Sequence, residues 1–315
     1  MKICFLILHY NEVELTKRAV KSIAEMDIKP EERPIVIVDN CSPNGSGKEL
    51  ISLYGEEGKS SGNNIHVILN TENGGFAKGN NLGYRYIKDK LDVDFVVALN
   101  NDITFSQKDF AKILEEIYAN EPIEKRFYLA GPDVWTPNIR SHISPLDIKY
   151  KDEGDVLRRF DFVSQACGIY NKKFDFTTFI RYIQDKYQGT KLLNLYNRIR
   201  REEYDGASSH DEVAYNCVLN GACLIFDKRY IYEYDYLFDE ATFLYAEEDF
   251  LTYRLVKKEE PIRYCPELKV DHVGQGSSGF SKMSYRDYCR KCITTQQRVK
   301  ESFEKYLKYI RNDAN

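Results

Sequence analysis

The chain has 315 residues, of which 43% are hydrophobic and 30% are charged, a composition typical of a folded protein with a large core. Its 45 basic and 49 acidic residues give a formal net charge of −4, which argues against a general nucleic-acid-binding protein. The sequence has no apolar run of the roughly 20 residues that span a bilayer, and its first residues lack the pattern of a signal peptide. We therefore expect a cytoplasmic protein whose eight cysteines are reduced.

Residues 1–102 alternate between short apolar runs and segments whose apolar side chains have helical spacing. The predicted strands are Ile3–Leu8, Ile35–Val38, Ile65–Leu69 and 95–102, and the predicted helices are Val13–Met26, Lys48–Tyr54 and Phe76–Lys88. Such alternation predicts an α/β fold with a mostly parallel central sheet and helices on both faces.

The second half of the chain has a less regular pattern. We interpret His142–Asp211, which is rich in charge and tyrosine, as an irregular helical insertion, with helical pieces near Phe174–Tyr187 and Lys191–Arg201. Further strands are predicted at Val218–Phe226, Phe238–Asp249, Ile262–Tyr264 and Lys269–His272. The tail, Ser281–Asn315, has a helical pattern and carries nine Lys/Arg against four Asp/Glu.

The fourth predicted strand stops at three polar residues, Asn100, Asn101 and Asp102. Parallel α/β sheets bind ligands at the carboxyl ends of their strands, and hard oxygen ligands suit Mg²⁺ or Mn²⁺. Asp102 is therefore a candidate for holding a divalent metal against a diphosphate. Two common nucleotide-binding motifs do not occur, because the first strand is followed by Tyr10-Asn11-Glu12 instead of G-x-G-x-x-G, and no P-loop sequence is present.

The order of several short motifs carries a family resemblance. The first half contains LHYN at 8–11, VDNCS at 38–42, NGGFAKGNNLG at 73–83 and NND at 100–102. The second half adds NGAC at 220–223, LFDE at 237–240, EEDFL at 247–251 and a histidine at 272. In this order the motifs resemble an inverting family-2 glycosyltransferase of GT-A fold, close to the bacterial rhamnosyltransferase-like branch of capsule and O-antigen synthesis.

The resemblance implies a domain organisation and a reaction. A GT-A glycosyltransferase domain would cover 1–280, with a nucleotide-sugar-binding half at 1–140, the insertion at 141–211 and an acceptor and catalytic half at 212–280. A basic helical tail would follow at 281–315. The implied reaction moves a sugar from a UDP- or dTDP-sugar, with inversion, to a hydroxyl group of a glycan. In this family the acceptor is often lipid-linked and lies at the inner face of the plasma membrane.

Several residues are candidates for binding the donor. Asp39 can accept a hydrogen bond from the N3–H of uracil or thymine, and the ring of Tyr10 can stack on that base, although Asp39 also suits a plain turn. Residues 73–75 open a helix, whose N-terminus favours negative charge, and Asn80 and Asn81 are costly inside a helix unless their amides have a role. With the resemblance, the donor-binding set is Tyr10, Asn11, Asp39, Asn73, Gly75, Phe76, Asn80, Asn81, Asn100 and Asn101.

The resemblance also implies a Mn²⁺ or Mg²⁺ cofactor. Asp102 would be a ligand of the metal that neutralises the leaving diphosphate, with His272 as a further ligand. A structural histidine after an apolar strand is the alternative for His272. Asn100 replaces the first Asp of the usual D-x-D motif, so we expect weak metal binding without the donor.

Inverting transfer needs a carboxylate that takes the proton from the acceptor hydroxyl. The acidic cluster of Glu247, Glu248 and Asp249 lies at the start of a predicted helix that runs to Lys257. Aligned without gaps, Glu248 occupies the position of the family's base, whereas a shift of one residue favours Asp249. Acidic residues that only complement the helix dipole are the non-catalytic alternative.

Other features leave alternatives open. The basic, aromatic tail suits peripheral contact with an anionic membrane, and equally a helix that caps the fold with a solvated basic face. Cys289 and Cys292 form an isolated C-x-x-C, which favours two thiols on one helix face over a zinc or redox site. A same-fold hydrolase or nucleotidyltransferase, and an inactive sugar-nucleotide-binding module, are the rival functions.

Overall fold

A computed structural model describes residues 1–55, 64–137, 141–172, 174–186, 210–273 and 283–313. Within these ranges, no helix is both long enough and apolar enough to cross a membrane. The predicted helix at Lys191–Arg201 lies outside the described residues.

The centre of the fold is a sheet that contains ten strands among the described residues. These are β1 Ile3–His9, β2 Ile35–Asp39, β3 Ile65–Leu69, β4 Phe95–Asn100, β5 Ile103–Thr104, β6 Leu129–Thr136, β7 Ser141–His142, β8 Ala214–Tyr215, β9 Cys223–Asp227 and β10 Ile262–His272. Their order is β3-β2-β1-β4-β9-β6-β10-β5, with β7 beside β6 and β8 beside β10. Because β9 is antiparallel to both β4 and β6, strands β1 to β4, β6 and β10 all point their carboxyl ends to one edge.

Helices cover both faces of the sheet. They are α1 Val13–Ala24, α2 Ser46–Tyr54, α3 Gly75–Lys90, α4 Phe110–Asn120, α5 Glu153–Tyr170, α6 Phe176–Lys186, α7 Lys228–Glu233, α8 Glu247–Lys257 and α9 Tyr285–Asp313. Side chains alternate between the faces of a strand, so β1 supplies Phe5 to the core under α1, α2 and α4, and Leu6 to the core under α3, α7 and α8. The predicted α/β fold with helices on both faces is confirmed.

One predicted strand is wrong. Residues 238–246 of the predicted strand Phe238–Asp249 form a loop, and α8 then begins at Glu247. The Asn81 side chain accepts hydrogen bonds from the amides of Leu237 and Phe238 at 2.9 and 3.1 Å, and donates to the Phe238 carbonyl at 2.8 Å. The Asn81 side chain therefore occupies the backbone groups of Leu237 and Phe238 that would otherwise bond to a neighbouring strand.

Other boundaries differ by several residues. Strand β9 begins at Cys223 rather than Val218, and the two short strands predicted after Ile262 are one strand, β10, with an irregularity between Cys265 and Lys269. The insertion contains a helix, α5, that the sequence pattern did not indicate. Its buried residues are only Val156 and Val163, so its apolar stripe is too weak to detect.

The tail packs on the rest of the protein. Phe303 and Tyr306 of α9 are buried in one apolar cluster with Val156 of α5 and Phe250 of α8. The C-x-x-C residues lie on α9 in a small cluster of aromatic rings that includes Tyr182. The aromatic face of the tail thus contacts protein, and its contact with a membrane stays a prediction.

Candidate functional site

Three strand ends place the predicted donor-binding residues side by side. Asp39 is opposite His9 in the register of β1 and β2, and Leu8 is opposite Asn100 in the register of β1 and β4. Strand β9 starts at the same edge, because the Asn100 amide donates to the Ala222 carbonyl at 3.0 Å. From β2 to β9 the edge is three strand spacings wide, about 14 Å.

Glu248 lies at the same edge because it contacts Gly221, the residue before Ala222. The Gly221 amide donates to Oε1 of Glu248 at 3.1 Å. Asp102 follows β4 by two residues. The three carboxylates of Asp39, Asp102 and Glu248, which come from distant parts of the sequence, therefore lie along one edge of the sheet.

Asp39 is buried at the end of β2 and is held by the loop that follows. The amide of Ser42 lies 3.3 Å from each carboxylate oxygen, and the Ser42 hydroxyl also donates to Oδ1. A Cβ at Gly47 would lie 2.2 Å from Oδ2, so only glycine leaves room for this carboxylate. The carboxylate is thus positioned before any ligand arrives.

His9 is a buried ring that lies beside Asp39. Its ring nitrogens bond to Thr16 at 2.6 Å and Ser46 at 2.9 Å, and Nε2 lies 3.8 Å from Asp39 Oδ1. Burial lowers the pKa of His9 to about 4, against the opposing effect of Asp39. At neutral pH the imidazole beside Asp39 is therefore uncharged.

Tyr10 and Asn11 follow β1 at this edge. Tyr10 is 39% exposed, which leaves a large part of its ring accessible to a ligand. Asn11 has a φ of +67°, and its amide donates to the Ser42 hydroxyl at 2.9 Å. Its side-chain oxygen is buried and has no hydrogen-bond partner within the described part of the chain. A ligand N–H or O–H would satisfy this oxygen.

The segment at 73–76 has its hydrogen bonds within the protein. Asn73 accepts from the Asn40 side chain at 3.1 Å and from the Gly75 amide at 3.0 Å, and the Phe76 amide donates to the Phe243 carbonyl at 2.9 Å. Gly75 has a φ of +80°, and a Cβ there would lie 2.2 Å from the Phe243 carbonyl oxygen. The Phe76 amide thus fixes α3 to the loop before α8, the Gly75 amide is bonded within the turn, and donor binding by this segment stays a prediction.

Asn80 and Asn81 have structural partners. Asn80 is buried and donates to the Phe76 carbonyl at 3.0 Å, while Asn81 holds the loop at 237–240 and also donates to Glu240 at 3.0 Å. These contacts explain two asparagines inside a helix without a donor molecule. Donor binding by them stays a prediction that the geometry does not favour.

Asp102 and His272 are brought together by strand pairing. Ile103 is opposite His272 in the antiparallel pair of β5 and β10, and Asp102 Oδ1 lies 3.3 Å from His272 Nε2. Asn101 fixes the same turn, since its side chain donates to the Thr16 hydroxyl at 3.2 Å. The buried Nδ1 of His272 has no partner among the described residues.

A carboxylate and an imidazole at this distance fit two ligands of one Mn²⁺ ion, since carboxylates suit Mg²⁺ and Mn²⁺ and imidazole binds many transition metals. No cluster of three or more ligand-type side chains occurs in the ranges that the structure describes. Asn100, two residues before Asp102, is half-buried. The arrangement suits a metal that shares its coordination with a substrate.

Glu248 is the partly accessible member of the acidic cluster. Its side chain is half-buried, and burial raises its pKa, with a further contribution from Asp249. A Cβ on Gly221 would lie 2.3 Å from Glu248 Oε1, so glycine makes room for the carboxylate as well as donating its amide.

The neighbours of Glu248 are engaged elsewhere. Asp249 is buried and accepts a hydrogen bond from Lys151 of the insertion at 2.5 Å. Glu247 is buried, accepts from the Thr242 hydroxyl at 3.0 Å, and has its pKa raised to about 7 by burial and by Glu248. The geometry therefore favours Glu248 over both neighbours as the group that meets a substrate.

Backbone strain is concentrated at this edge. Seven described residues other than glycine have a positive φ, and four of them are Asn11, Cys41, Tyr245 and Ala246. Each such conformation costs on the order of 1–3 kcal/mol and persists only where the surroundings impose it. Two consecutive residues with a positive φ directly precede Glu247, so the surrounding structure holds the entry of α8 in this conformation.

Sequence reasoning missed several residues of the site. Gly221 belongs to a recognised motif, but its contact with Glu248 depends on a strand and a helix that are distant in sequence. Lys151 lies in the insertion, where no motif indicates its pairing with Asp249. Trp135 and His142 are near the same edge and were not singled out.

Comparisons with known proteins identify the family and the fold of the chain. A sequence profile described as Glycosyl transferase family 2 matches residues 4–183. No curated protein matches the chain. A structure of S. aureus TarS 1-349 in complex with UDP-GlcNAc has 14% identity and a TM-score of 0.51, and the match covers 94% of this chain and 66% of that one. A mannosyltransferase, PcManGT from Pyrobaculum calidifontis, in complex with GDP-Man and Mn²⁺, has 13% identity and a TM-score of 0.48, with 97% and 69% covered. This chain thus spans just under two thirds of the TarS chain, and the similarity is one of fold.

Proposed function

Because the chain belongs to glycosyl transferase family 2, we propose that it moves a sugar from a UDP- or dTDP-sugar, with inversion, to a hydroxyl group of a glycan. The observation that carries the proposal is the shared sheet edge of Asp39, Asp102 and Glu248. In this proposal, residues 1–140 bind the donor and residues 212–280 supply the base.

Glu248 is the proposed general base. With Oε1 held by the Gly221 amide, the carboxylate is oriented to accept the proton of the acceptor hydroxyl. The acceptor oxygen then bonds to the anomeric carbon as the bond to the diphosphate breaks, and attack from the opposite side inverts that carbon. The raised pKa of Glu248 makes it a stronger base than an exposed glutamate.

Asp102 and His272 would hold Mn²⁺ or Mg²⁺, with further ligands from the diphosphate. When bound, this ion neutralises charge on the leaving group. Asn100 can add a carbonyl oxygen, and Asn101 keeps the turn of Asp102 in place by its bond to Thr16. The chain's own contribution is thus a pre-positioned carboxylate and imidazole.

Asp39 and Tyr10 would bind the base of the nucleotide. An oxygen of the Asp39 side chain accepts a hydrogen bond from the N3–H of uracil or thymine, and the exposed Tyr10 ring stacks on that base. The UDP-GlcNAc in the TarS structure is compatible with this choice.

We extend the proposal to a lipid-linked acceptor in capsule or O-antigen synthesis, on the strength of the motif resemblance. Basic residues on the outer face of α9, such as Arg290 and Lys308, are exposed and available to an anionic membrane surface. Co-sedimentation with vesicles of anionic or neutral lipid tests this contact directly, and equal recovery with both vesicles would remove it.

The proposed function is tested with a panel of UDP- and dTDP-sugars, Mn²⁺ and a mixture of glycan acceptors. We expect release of the nucleoside diphosphate together with a new glycosidic bond. Pyrophosphate release would instead support a nucleotidyltransferase, free sugar alone a hydrolase, and binding without turnover an inactive module.

Two substitutions link this activity to the site. We expect Asp102→Ala and Glu248→Gln to abolish transfer with little change in melting temperature, while Glu124→Gln, at an exposed carboxylate outside the site, keeps full activity. Full activity in both site variants would contradict the assigned roles.

A further inference from the structure

A cluster of three aromatic rings lies near the sheet edge that carries Asp39, Asp102 and Glu248. It has no role in the reaction described above. Trp135 on β6 and His142 on β7 are cross-strand partners with ring centroids 4.7 Å apart. His210 stacks on His142 at 4.9 Å with an angle of 20° between the ring planes. The cluster is half-buried, and the His142 side chain is 35% exposed.

The orientation of His142 is fixed by a buried carboxylate. Its Nδ1 lies 2.7 Å from Oδ1 of Asp133, which is buried. This bond leaves Nε2 as the ring nitrogen available for a further hydrogen bond. His210 is held in turn by Tyr264, whose hydroxyl donates to the His210 carbonyl at 2.8 Å.

The cluster lies between the proposed metal ligands and the proposed base. On one side, Trp135 is opposite Asp271 in the register of β6 and β10, and Asp271 precedes His272. On the other side, the Asn220 side chain donates to the Ile143 carbonyl, next to His142, at 2.9 Å. Asn220 directly precedes Gly221, the residue that holds Glu248. The proposed metal ligand His272 and the Gly221 amide that holds Glu248 are thus each only a few residues from a residue that contacts or pairs with the ring cluster.

We propose that Trp135, His142 and His210 form the binding platform for the acceptor sugar, an inference that rests on the proposed function. Indole and imidazole faces suit the apolar face of a pyranose ring, whose C–H groups pack on aromatic carbon. The Nε2 atom of His142 would bond to a hydroxyl of the same sugar. Such placement would bring a neighbouring hydroxyl toward Glu248.

The composition of the chain makes this platform directly observable. Trp135 is the one tryptophan of the 315-residue chain, so fluorescence excited at the red edge of the absorption band reports on this ring alone, despite 24 tyrosines. The probes are methyl glycosides and short oligosaccharides, titrated into the full chain with the nucleoside diphosphate and Mn²⁺ present.

We expect glycans that accelerate turnover of the donor to change the Trp135 emission at the same concentrations. Trp135→Ala should raise the acceptor KM by about tenfold or more, a larger change than in the donor KM. Trp135→Tyr keeps an aromatic face and should retain most of the acceptor affinity. Tyr232→Ala, at an exposed ring outside the site, is the matched control.

The outcomes separate this inference from the proposed function. Emission that no glycan of the panel changes, or an acceptor KM unaltered in Trp135→Ala, would overturn the platform while donor turnover still supports a glycosyltransferase. Absence of turnover with every nucleotide sugar would instead count against the proposed function itself.

Discussion

The contact between Gly221 and Glu248 allows a substitution that displaces the proposed base by a known amount. A Cβ added at Gly221 would lie 2.3 Å from Glu248 Oε1. An ordinary carbon–oxygen contact is about 3.4 Å, so the carboxylate must retreat by about 1 Å. Since a misplacement of about 1 Å can cost about 100-fold in rate, we expect Gly221→Ala to lower kcat by about two orders of magnitude.

The assay is initial-rate release of the nucleoside diphosphate, with donor affinity and melting temperature measured on the same samples. Donor affinity and melting temperature should change little, because the clash is with the mobile end of a side chain. Gly168→Ala is the matched control, since a Cβ there meets nothing within 4 Å on helix α5. A Gly221→Ala enzyme with the kcat of the wild type would refute the role of Glu248.

Three further predictions concern strain and protonation. Ala246→Gly should raise the free energy of unfolding by about 1 kcal/mol, because glycine adopts the φ of +68° without strain. The melting temperature should then rise by about 2 °C, and a lower melting temperature would contradict this prediction. Because burial raises the pKa of Glu248, kcat/KM should fall on acidification with an apparent pKa above the ordinary 4.5 of a glutamate. If the acidic side of the pH–rate profile instead has an apparent pKa at or below 4.5, Glu248 is excluded as the titrating base. His9 has a pKa of about 4 when folded against 6.5 as a free side chain, so the unfolded state binds more protons between these values. The free energy of unfolding should therefore fall by up to about 3 kcal/mol as the pH drops from about 6.5 to about 4, and urea denaturation of His9→Gln should show a shallower pH dependence.

The elements of the first half could be predicted because their signals are local. The apolar run Ile35–Val38 and the helical spacing of apolar residues after Val13 can each be recognised from a few consecutive residues. Strand β2 and helix α1 form where these patterns predict them. The positions of Asp39 and Asp102 at strand ends could be predicted for the same reason, since Asp39 ends β2 and Asp102 follows β4 by two residues, while their roles stay predictions.

Features that depend on distant contacts could not be predicted. The loop at 238–246 has an apolar, strand-like composition, but Asn81 uses the backbone groups of Leu237 and Phe238 at its start. The argument that favours Glu248 over Asp249 depends on Lys151 of the insertion, which pairs with Asp249, and the identity of the base stays a prediction. The role predicted for Asn81 followed from the cost of asparagine in a helix, which its contacts with Leu237, Phe238 and Glu240 offset, so donor binding by Asn81 stays a prediction.

The central claim is that Asp39, Asp102 and Glu248 serve one nucleotide-sugar site. The most direct measurement is calorimetric titration of UDP into the wild type, Asp39→Ala and Asp102→Ala, each with and without Mn²⁺. We predict that Mn²⁺ strengthens UDP binding by the wild type, that Asp102→Ala loses this enhancement, and that Asp39→Ala binds UDP weakly under both conditions. Equal UDP affinity in all three proteins, with no effect of Mn²⁺, would contradict the account.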